Sequence, residues 1–291
     1  MRRSFFILFL VSVLLVVFSS QFAVHAGSKP PAFLELPPDA RTRALGNGLV
    51  GLAETGGGKF LNPGSFSSST PPEVHSLYEP GFDQYSSVSL SFNQGNYGLA
   101  YRGIGTGEII ERDLYGQPTG DVFRYHGHGL IGGLGKEFGD FGLGVSVKAY
   151  HRSSSDSLLG YSVTPGILYE RKPFRVGAVL PDLLVSDPFE FGTFNSGKKV
   201  ELGVGVSTEP LNLGLDVKAK LAEGELDVGF AGAGLEWWLS EIFALRVGTA
   251  GEAELTFGFG IRGGGARIDY AYSFHQELPD SYVVSVGWVF E

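Results

Sequence analysis

The chain has no cysteine and only one methionine among its 291 residues. The lack of cysteine excludes disulfides, thiol catalysis and cysteine-ligated metal centres. Basic residues are scarce as well, because 22 lysines and arginines stand against 31 aspartates and glutamates, for a net charge of -9. Nucleic-acid binding needs a basic stripe that this composition does not supply, so we expect no nucleic-acid partner.

Long apolar runs are missing after the N-terminus, so no further spanning helix is expected. The first residues include Arg2 and Arg3, an apolar run from Phe5 to Phe18, and a small-residue cleavage site ending at Ala26. This order is typical of a secretory signal peptide. A retained anchor helix is the alternative, but the run is shorter than the ~20 residues that a spanning helix needs. We therefore predict a signal peptide over 1–26 and export of the remaining chain.

Catalytic and metal-binding motifs are also absent. The sequence contains neither G-x-S-x-G nor H-E-x-x-H. His126 and His128 share one face of a predicted strand, but no third metal ligand is legible, which favours a polar interior or rim position. His151 precedes a serine run, yet sequence neighbours do not establish the contact between a nucleophile and its base. We predict no enzyme activity, no metal and no cofactor.

One glycine-rich stretch, Gly46–Gly51, matches the G-x-G-x-x-G pattern of dinucleotide-binding loops. That pattern requires a buried strand before it and a helix after it. The preceding residues, 37–43, are too polar and proline-rich for a central strand, and Gly56–Gly58 would break a helix. Gly58 and Lys59 are followed by Phe60 rather than by serine or threonine, which excludes a phosphate-binding Walker loop. These glycines are expected to serve tight turns.

From about residue 85 onward, apolar residues alternate with small or polar ones. Val200, Leu202 and Val204, for example, alternate with Glu201 and Gly203. A period of two places alternate side chains on opposite faces, so each run predicts a strand with one apolar face. Two architectures satisfy this pattern, namely a soluble β-sandwich with an apolar core and a membrane barrel with an apolar outside.

Three features favour the barrel. The segments are about 10 residues long, as a tilted membrane-spanning strand requires. Aromatic residues end the apolar faces, with Tyr282, Trp288 and Phe290 as the predicted girdle. The polar faces carry glycine, serine and charges of both signs, which suits a lumen crossed by ion pairs. The predicted lumen-facing charges are Arg102, Lys148, Glu201, Asp216, Lys218, Glu254, Arg262, Arg267 and Asp269.

Short connections predict antiparallel neighbours, with hairpin turns at Gly95-Asn96, Glu209-Pro210 and Gly263–Gly265. In lipid such a sheet must close, because unpaired edge groups are costly there. The candidates after residue 72 number 12 to 14, and we predict 14. The stretch 104–128 forms either strand extensions or a surface loop.

Two positions depart from the alternation. Lys136 shares the apolar parity, so its side chain must extend to the interface near a strand end. The parity within 226–239 slips between Phe230 and Leu235, where Gly232 and Gly234 predict a bulge.

The N-terminal residues Ala44-Leu45-Gly46-Asn47-Gly48, then Leu52-Ala53, then Asn62-Pro63-Gly64 form a recognisable series. It resembles the start of outer-membrane proteins related to the long-chain fatty-acid transporters (FadL-like) and to the PorV/PorQ group. The resemblance implies an all-β transmembrane antiparallel barrel of about 14 strands over 73–291. It also implies a luminal plug over 27–72, with Gly46, Gly48, Asn62, Pro63 and Gly64 as its motif. An ordinary surface turn before the first strand is the alternative.

The first functional hypothesis is therefore passage of small hydrophobic molecules across the outer membrane, with the lipid bilayer and a small hydrophobic ligand as partners. A second is a non-transporting structural or secretion-accessory barrel, similar to PorV, whose secretion partners the sequence does not identify. The third is a soluble exported β-sandwich that binds a ligand.

Overall fold

The computed structural model describes residues 30–47, 49–53, 56–68, 70–81, 85–113, 115–153, 157–186, 198–222, 225–251, 254–276 and 279–290. The predicted signal peptide and Gly48 lie outside these described residues. No helix in the described ranges is long and apolar enough to cross a membrane.

Fourteen antiparallel strands form a closed barrel. The sheet closes where the first strand pairs with the last and where strand Ser157–Arg171 pairs with strand Phe174–Val179. The barrel strands are β1 Glu73–Pro80, β2 Tyr85–Gln94, β3 Tyr97–Thr106, β6 His126–Phe138, β7 Phe141–Ser153, β8 Ser157–Arg171, β9 Phe174–Val179, β11 Lys198–Ser207, β12 Leu211–Ala222, β13 Glu225–Trp238, β14 Phe243–Ala250, β15 Glu254–Gly263, β16 Ala266–His275 and β17 Ser281–Val289.

The other described elements are short. Strands β4 (Ile109–Arg112) and β5 (Pro118–Phe123) form a separate hairpin, and β10 (Leu184–Ser186) pairs with β8 beside β9. The N-terminal part contains one α-helix, α1 (Ala40–Ala44), and three 3-10 turns. These turns are Ala32–Glu35, Gly56–Phe60 and Pro63–Ser67.

Apolar side chains cover the outside of the barrel, and polar ones face its interior. In β12, Leu213 and Leu215 are 47% and 45% exposed, whereas the next residue, Asp216, faces the interior and is fully buried. The predicted 14-strand antiparallel barrel is therefore confirmed. The soluble sandwich is wrong, because the apolar faces point outward instead of meeting in a core. This is the fold of outer-membrane barrels, whose apolar exterior contacts lipid.

The register confirms the predicted irregularities. The pairing of β12 with β13 shifts where Val217 faces Phe230 and Asp216 faces Gly232, so Ala231 is the extra residue of a bulge. Lys136 lies on the outer face near the end of β6, with its ammonium 5.3 Å from the centre of the Phe138 ring. Within the stretch 104–128, β3 ends at Thr106, the exposed β4–β5 hairpin follows, and β6 begins at His126.

The two ends of the barrel differ. At one, which we call the turn end, the connections are 95–96, 139–140, 172–173, 208–210, 239–242 and 264–265. The other, the loop end, carries the long connections 107–125 and 180–197. Both ends of the barrel sequence, at the start of β1 and the finish of β17, lie at the turn end.

Candidate functional site

Residues 30–68, which we call the interior segment, pack against the inward faces of the barrel strands. Helix α1 contacts β14, β15, β16 and β17, and the Pro63–Ser67 turn contacts β6, β7 and β8. Most of the described residues of this segment are buried. Asp39 is the N-cap residue before helix α1, and its carboxylate accepts a hydrogen bond of 2.7 Å from the Thr42 amide. The segment thus lies against the inner wall of the barrel.

Glycines on the inner barrel face make room for this segment. A side chain at Gly248 would place its Cβ 2.5 Å from the Gly46 amide nitrogen and 2.6 Å from the Leu45 carbonyl carbon. Gly64 itself approaches the backbone of β8, where a Cβ would lie 2.6 Å from the Leu168 nitrogen. The same close approach recurs at Gly133 and Gly135 around Phe66. The inward glycines are therefore a contact surface for the segment.

The Asn62 side chain closes a turn and joins two elements. Its Oδ1 accepts a 3.0 Å hydrogen bond from the Gly64 amide, two residues on, which forms an Asx turn. Its Nδ2 donates to the carbonyls of Val50 and Ile167, each at 3.0 Å. Because one oxygen lies within the segment and the other on β8, this amide fixes the segment to the wall.

The Gly56–Phe60 turn uses its amides to bind carboxylates of the protein itself. The Gly56 amide donates to Glu73 at 2.8 Å, and the Gly58 amide donates to Asp39 at 3.2 Å. Burial tends to raise the pKa of Asp39, but His75 and the Thr42 hydrogen bonds outweigh it and hold that pKa below its usual value. Burial also lowers the pKa of Lys59, against the opposing effect of Glu73. The Gly56 and Gly58 amides are therefore already engaged by carboxylates of the protein.

An ion-pair network holds α1 against one side of the barrel. Arg41 donates through Nε and one terminal nitrogen to the Glu236 carboxylate, both at 3.0 Å. Glu236 also accepts from Arg246 at 2.7 Å, and Arg246 pairs with Asp269 at 2.8 Å. Arg246, Glu236 and Asp269 are all almost fully buried. Breaking such a buried pair by removing one partner is costly, so the network fastens the helix.

Arg43 makes a second set of contacts on the same side. It pairs with Glu79 of β1 at 2.5 Å and with Glu254 of β15 at 3.4 Å. The side-chain amide of Asn47 also donates, through Nδ2, to the Glu254 carboxylate at 2.7 Å. Together the two arginines of α1 link the segment to β1, β13 and β15.

The predicted lumen-facing charges occupy three kinds of place. Four belong to buried or largely buried groups: Arg102, Asp216, Glu254 and Asp269. Four each take part in an ion pair, namely Lys148, Glu201, Lys218 and Arg267, with side chains 12%, 17%, 63% and 15% exposed. Arg262 is exposed at the end of β15, with its guanidinium 3.8 Å from the centre of the Trp238 ring.

A cavity of about 320 Å³ lies between the interior segment and the wall near the loop end. Its lining includes buried apolar residues of the segment, Leu34, Val50 and Phe60, and of the wall, Ile131 and Val179. Charged side chains complete it: Glu35, Arg102, Lys148, Asp182, Lys199, Glu201, Lys218, Lys220 and Asp227. Burial opposes ionisation of Asp182, yet Lys148 and Ser162 hold its pKa below the usual value. The cavity thus combines an apolar floor with a charged mouth.

The predicted aromatic girdle, His126 and His128 are exposed. Tyr282, Trp288 and Phe290 are 47%, 48% and 45% exposed. His128 faces outward, where it shares a 2.7 Å hydrogen bond with the Tyr101 hydroxyl. In the described part of the chain, no group of three or more histidine, cysteine, aspartate or glutamate side chains could hold a metal ion.

Sequence reasoning missed the fastening residues Arg41, Arg43, Glu79, Glu236 and Arg246. In the sequence, Arg41 and Arg43 stand out only as part of a stretch too polar for a strand. Glu236 and Arg246 follow the inward parity of β13 and β14, which is a signal that could have found them. The pairing of Arg41 with Glu236, which lie 195 residues apart, cannot be read from the sequence.

Comparison with known proteins supports the fold. No protein-family model and no curated protein matches the chain. Among solved structures it is similar to the TodX monoaromatic hydrocarbon channel deltaS2 mutant, with a TM-score of 0.62, 13% identity, and coverage of 87% of this chain and 99% of that chain. It is also similar to the P. putida toluene transporter TodX, with a TM-score of 0.59, 13% identity, and coverage of 87% of this chain and 98% of that chain.

A third similar structure is a Pseudomonas aeruginosa FadL homologue, with a TM-score of 0.56, 10% identity, and coverage of 87% of this chain and 98% of that chain. All three likenesses concern the fold, and they agree with the FadL-like architecture that the N-terminal motif implied.

Proposed function

We propose that this protein passes small hydrophobic molecules across the outer membrane, with residues 27–72 as a luminal plug. The loop-end cavity between the interior segment and the wall is the observation that carries the proposal, because it offers an apolar floor of suitable size. The similar TodX structures are described as a monoaromatic hydrocarbon channel and a toluene transporter, which supports the same solute class. We assign no enzyme activity.

The orientation follows from the two ends. Outer-membrane barrels have short periplasmic turns and longer extracellular loops. The loop end, and with it the cavity, would therefore face the exterior, and solute would enter there. The lipid bilayer surrounds the apolar face, as the exposed leucines of β12 require.

The plug would stay in place while solute passes beside it. The ion pairs of α1 lie on β1 and β13–β16. The cavity is lined mainly by the opposite arc, β3, β6–β9, β11 and β12. Fastening on one side leaves the other side of the segment as the route. The predicted motif glycines, Gly46 and Gly64, would set how closely the plug fits.

A variant that fills the cavity tests the proposal. Gly229 lines the cavity, and a Cβ placed there meets no atom within 4 Å. The substitution Gly229→Trp should therefore fold normally and reduce uptake of toluene into liposomes that contain the protein. Val228→Trp is the matched control, because Val228 is 60% exposed on the outer face of the same strand. Equal uptake by both variants would sink the proposed route.

The non-transporting, secretion-accessory barrel is the second candidate. The observation that favours it is the set of buried ion pairs that fasten the interior segment to the wall. Toluene uptake no faster than in protein-free liposomes, measured with the unaltered barrel, would establish this candidate over the first.

A further inference from the structure

Two lysines face each other at the mouth of the cavity. Lys199 of β11 and Lys220 of β12 are direct cross-strand partners, and Lys218 is the next residue of β12 with the same parity. Like charges placed directly opposite on a sheet destabilise it. All three side chains line the cavity. Their placement is therefore unfavourable unless something negative sits between them.

The carboxylates of the protein compensate these lysines incompletely. Lys199 lies 3.4 Å from Glu35, and Lys218 lies 3.4 Å from Glu201 with its own side chain 63% exposed. By contrast, Lys148 is held at 2.9 Å from Asp182. Lys220 is exposed and faces Asp227 in the register, but the two form no ion pair in the described structure. One ammonium is thus available to a ligand.

The apolar floor lies beneath these ammonium groups. Leu34, Phe60, Ile131 and Val179 line the same cavity and are between 2% and 6% exposed. The volume of about 320 Å³ corresponds to roughly ten water molecules at ~30 Å³ each. A molecule of about ten non-hydrogen atoms fits this space, with a polar head at the mouth and an apolar body on the floor.

We infer that the cavity binds small amphiphiles that carry one anionic group, with the anion between Lys199 and Lys220. A single aromatic ring with a short carboxylate arm has this chemistry. The ammonium groups would donate charge-assisted hydrogen bonds to the carboxylate and relieve their mutual repulsion. The inference rests on the proposed function and names the solute class of the same cavity.

Three probes that share a ring and a two-carbon arm test the inference: phenylacetate, 2-phenylethylamine and ethylbenzene. Their binding to the purified full-length barrel is measured by titration calorimetry in detergent at low and high salt. We expect phenylacetate to bind most tightly, with an affinity that falls as salt rises. The double variant Lys199→Gln/Lys220→Gln should bind phenylacetate about tenfold more weakly. Lys136→Gln, on the outer face near the turn end, should bind it unchanged.

Folding is checked first by heat-dependent gel mobility, and the double variant should pass because it removes a repulsive pair. Phenylacetate binding no tighter than that of the amine, or unaffected by the double substitution, would overturn the inference. Uptake of ethylbenzene into liposomes without lysine-dependent binding of phenylacetate would overturn it while leaving the proposed function intact. Lysine-dependent binding without uptake of any probe would support the site and overturn the proposed transport.

Discussion

The contact between Arg41 and Glu236 offers the sharpest perturbation of the interior segment. The substitution Glu236→Gln keeps the size of the side chain but removes the charge that faces two buried guanidinium groups. Glu236 accepts at 3.0 Å from two nitrogens of Arg41 and at 2.7 Å from Arg246. Losing one partner of a buried ion pair costs about 3–5 kcal/mol. The population in which α1 is detached should therefore rise roughly a hundredfold or more.

Amide hydrogen exchange within α1 measures that opening. The Arg43 amide donates to the Asp39 carbonyl and the Leu45 amide donates to the Arg41 carbonyl, so both exchange only when the helix opens. In the Glu236→Gln variant we expect both amides to exchange at least a hundredfold faster. Glu108→Gln is the control, because its pair with Arg124 is about 60% exposed on both sides and contributes about 0–1 kcal/mol.

A double substitution separates the loss of charge pairing from general damage. Adding Arg41→Met to Glu236→Gln removes the unpaired guanidinium of the segment, so part of the protection should return. If exchange in α1 is unchanged by Glu236→Gln, the network does not fasten the helix and the account of an anchored segment is refuted.

Three further predictions concern the seat of the segment. Gly248→Val should lower the yield of folded, heat-modifiable barrel, because its Cβ would meet Gly46 and Leu45, whereas Gly132→Val should not, because no atom lies within 4 Å there; equal yields would contradict a glycine contact surface. Asn62→Leu should destabilise the barrel by about 1–3 kcal/mol in urea unfolding, because it leaves the buried carbonyls of Val50 and Ile167 unpaired; an unchanged midpoint would show that the turn is dispensable. Because the folded-state pKa of Asp39 is lowered, its contribution to the stability of α1 is present above its ordinary pKa and is lost as pH falls through the lowered pKa. Exchange of the α1 amides should therefore differ between Asp39→Asn and the parent protein above about pH 4, and the two should converge in stronger acid. A difference that does not depend on pH would refute this.

Much of the barrel could be predicted from sequence because it depends on a local period. The alternation of Leu213 and Leu215 with Gly214 and Asp216 fixes which face meets lipid, whatever strands lie alongside. Turn residues such as Gly264 then fix the antiparallel order. The bulge at Ala231 is also visible in the sequence, because the alternation of apolar and polar residues shifts between Phe230 and Leu235.

The site could be predicted only in part, because it depends on contacts between distant residues. The Asx turn at Asn62 is local, so the sequence around Asn62 can indicate it. The hydrogen bond from the same side chain to the Ile167 carbonyl joins residues 105 positions apart, and the sequence does not indicate it. The alternation indicated that Lys218 and Glu201 face inward, yet not that Lys199 lies opposite Lys220 at a cavity mouth. The role of Gly58 likewise depends on the fold, because only the structure shows that its backbone amide donates a hydrogen bond to the Asp39 carboxylate.

The central claim is that small hydrophobic molecules pass beside a segment that remains anchored. Because the chain has no cysteine, a single engineered disulfide can lock the segment without competing thiols. The Ala40 amide donates to the Ser285 hydroxyl at 3.2 Å, so these two residues are adjacent and Ala40→Cys/Ser285→Cys is the pair chosen to join α1 to β17. Disulfide formation is verified by gel mobility with and without reductant before uptake is measured. We predict equal toluene uptake by liposomes carrying the oxidised and the reduced protein, above that of protein-free liposomes. Uptake that disappears on oxidation and returns on reduction would contradict the claim, because the segment would then have to move.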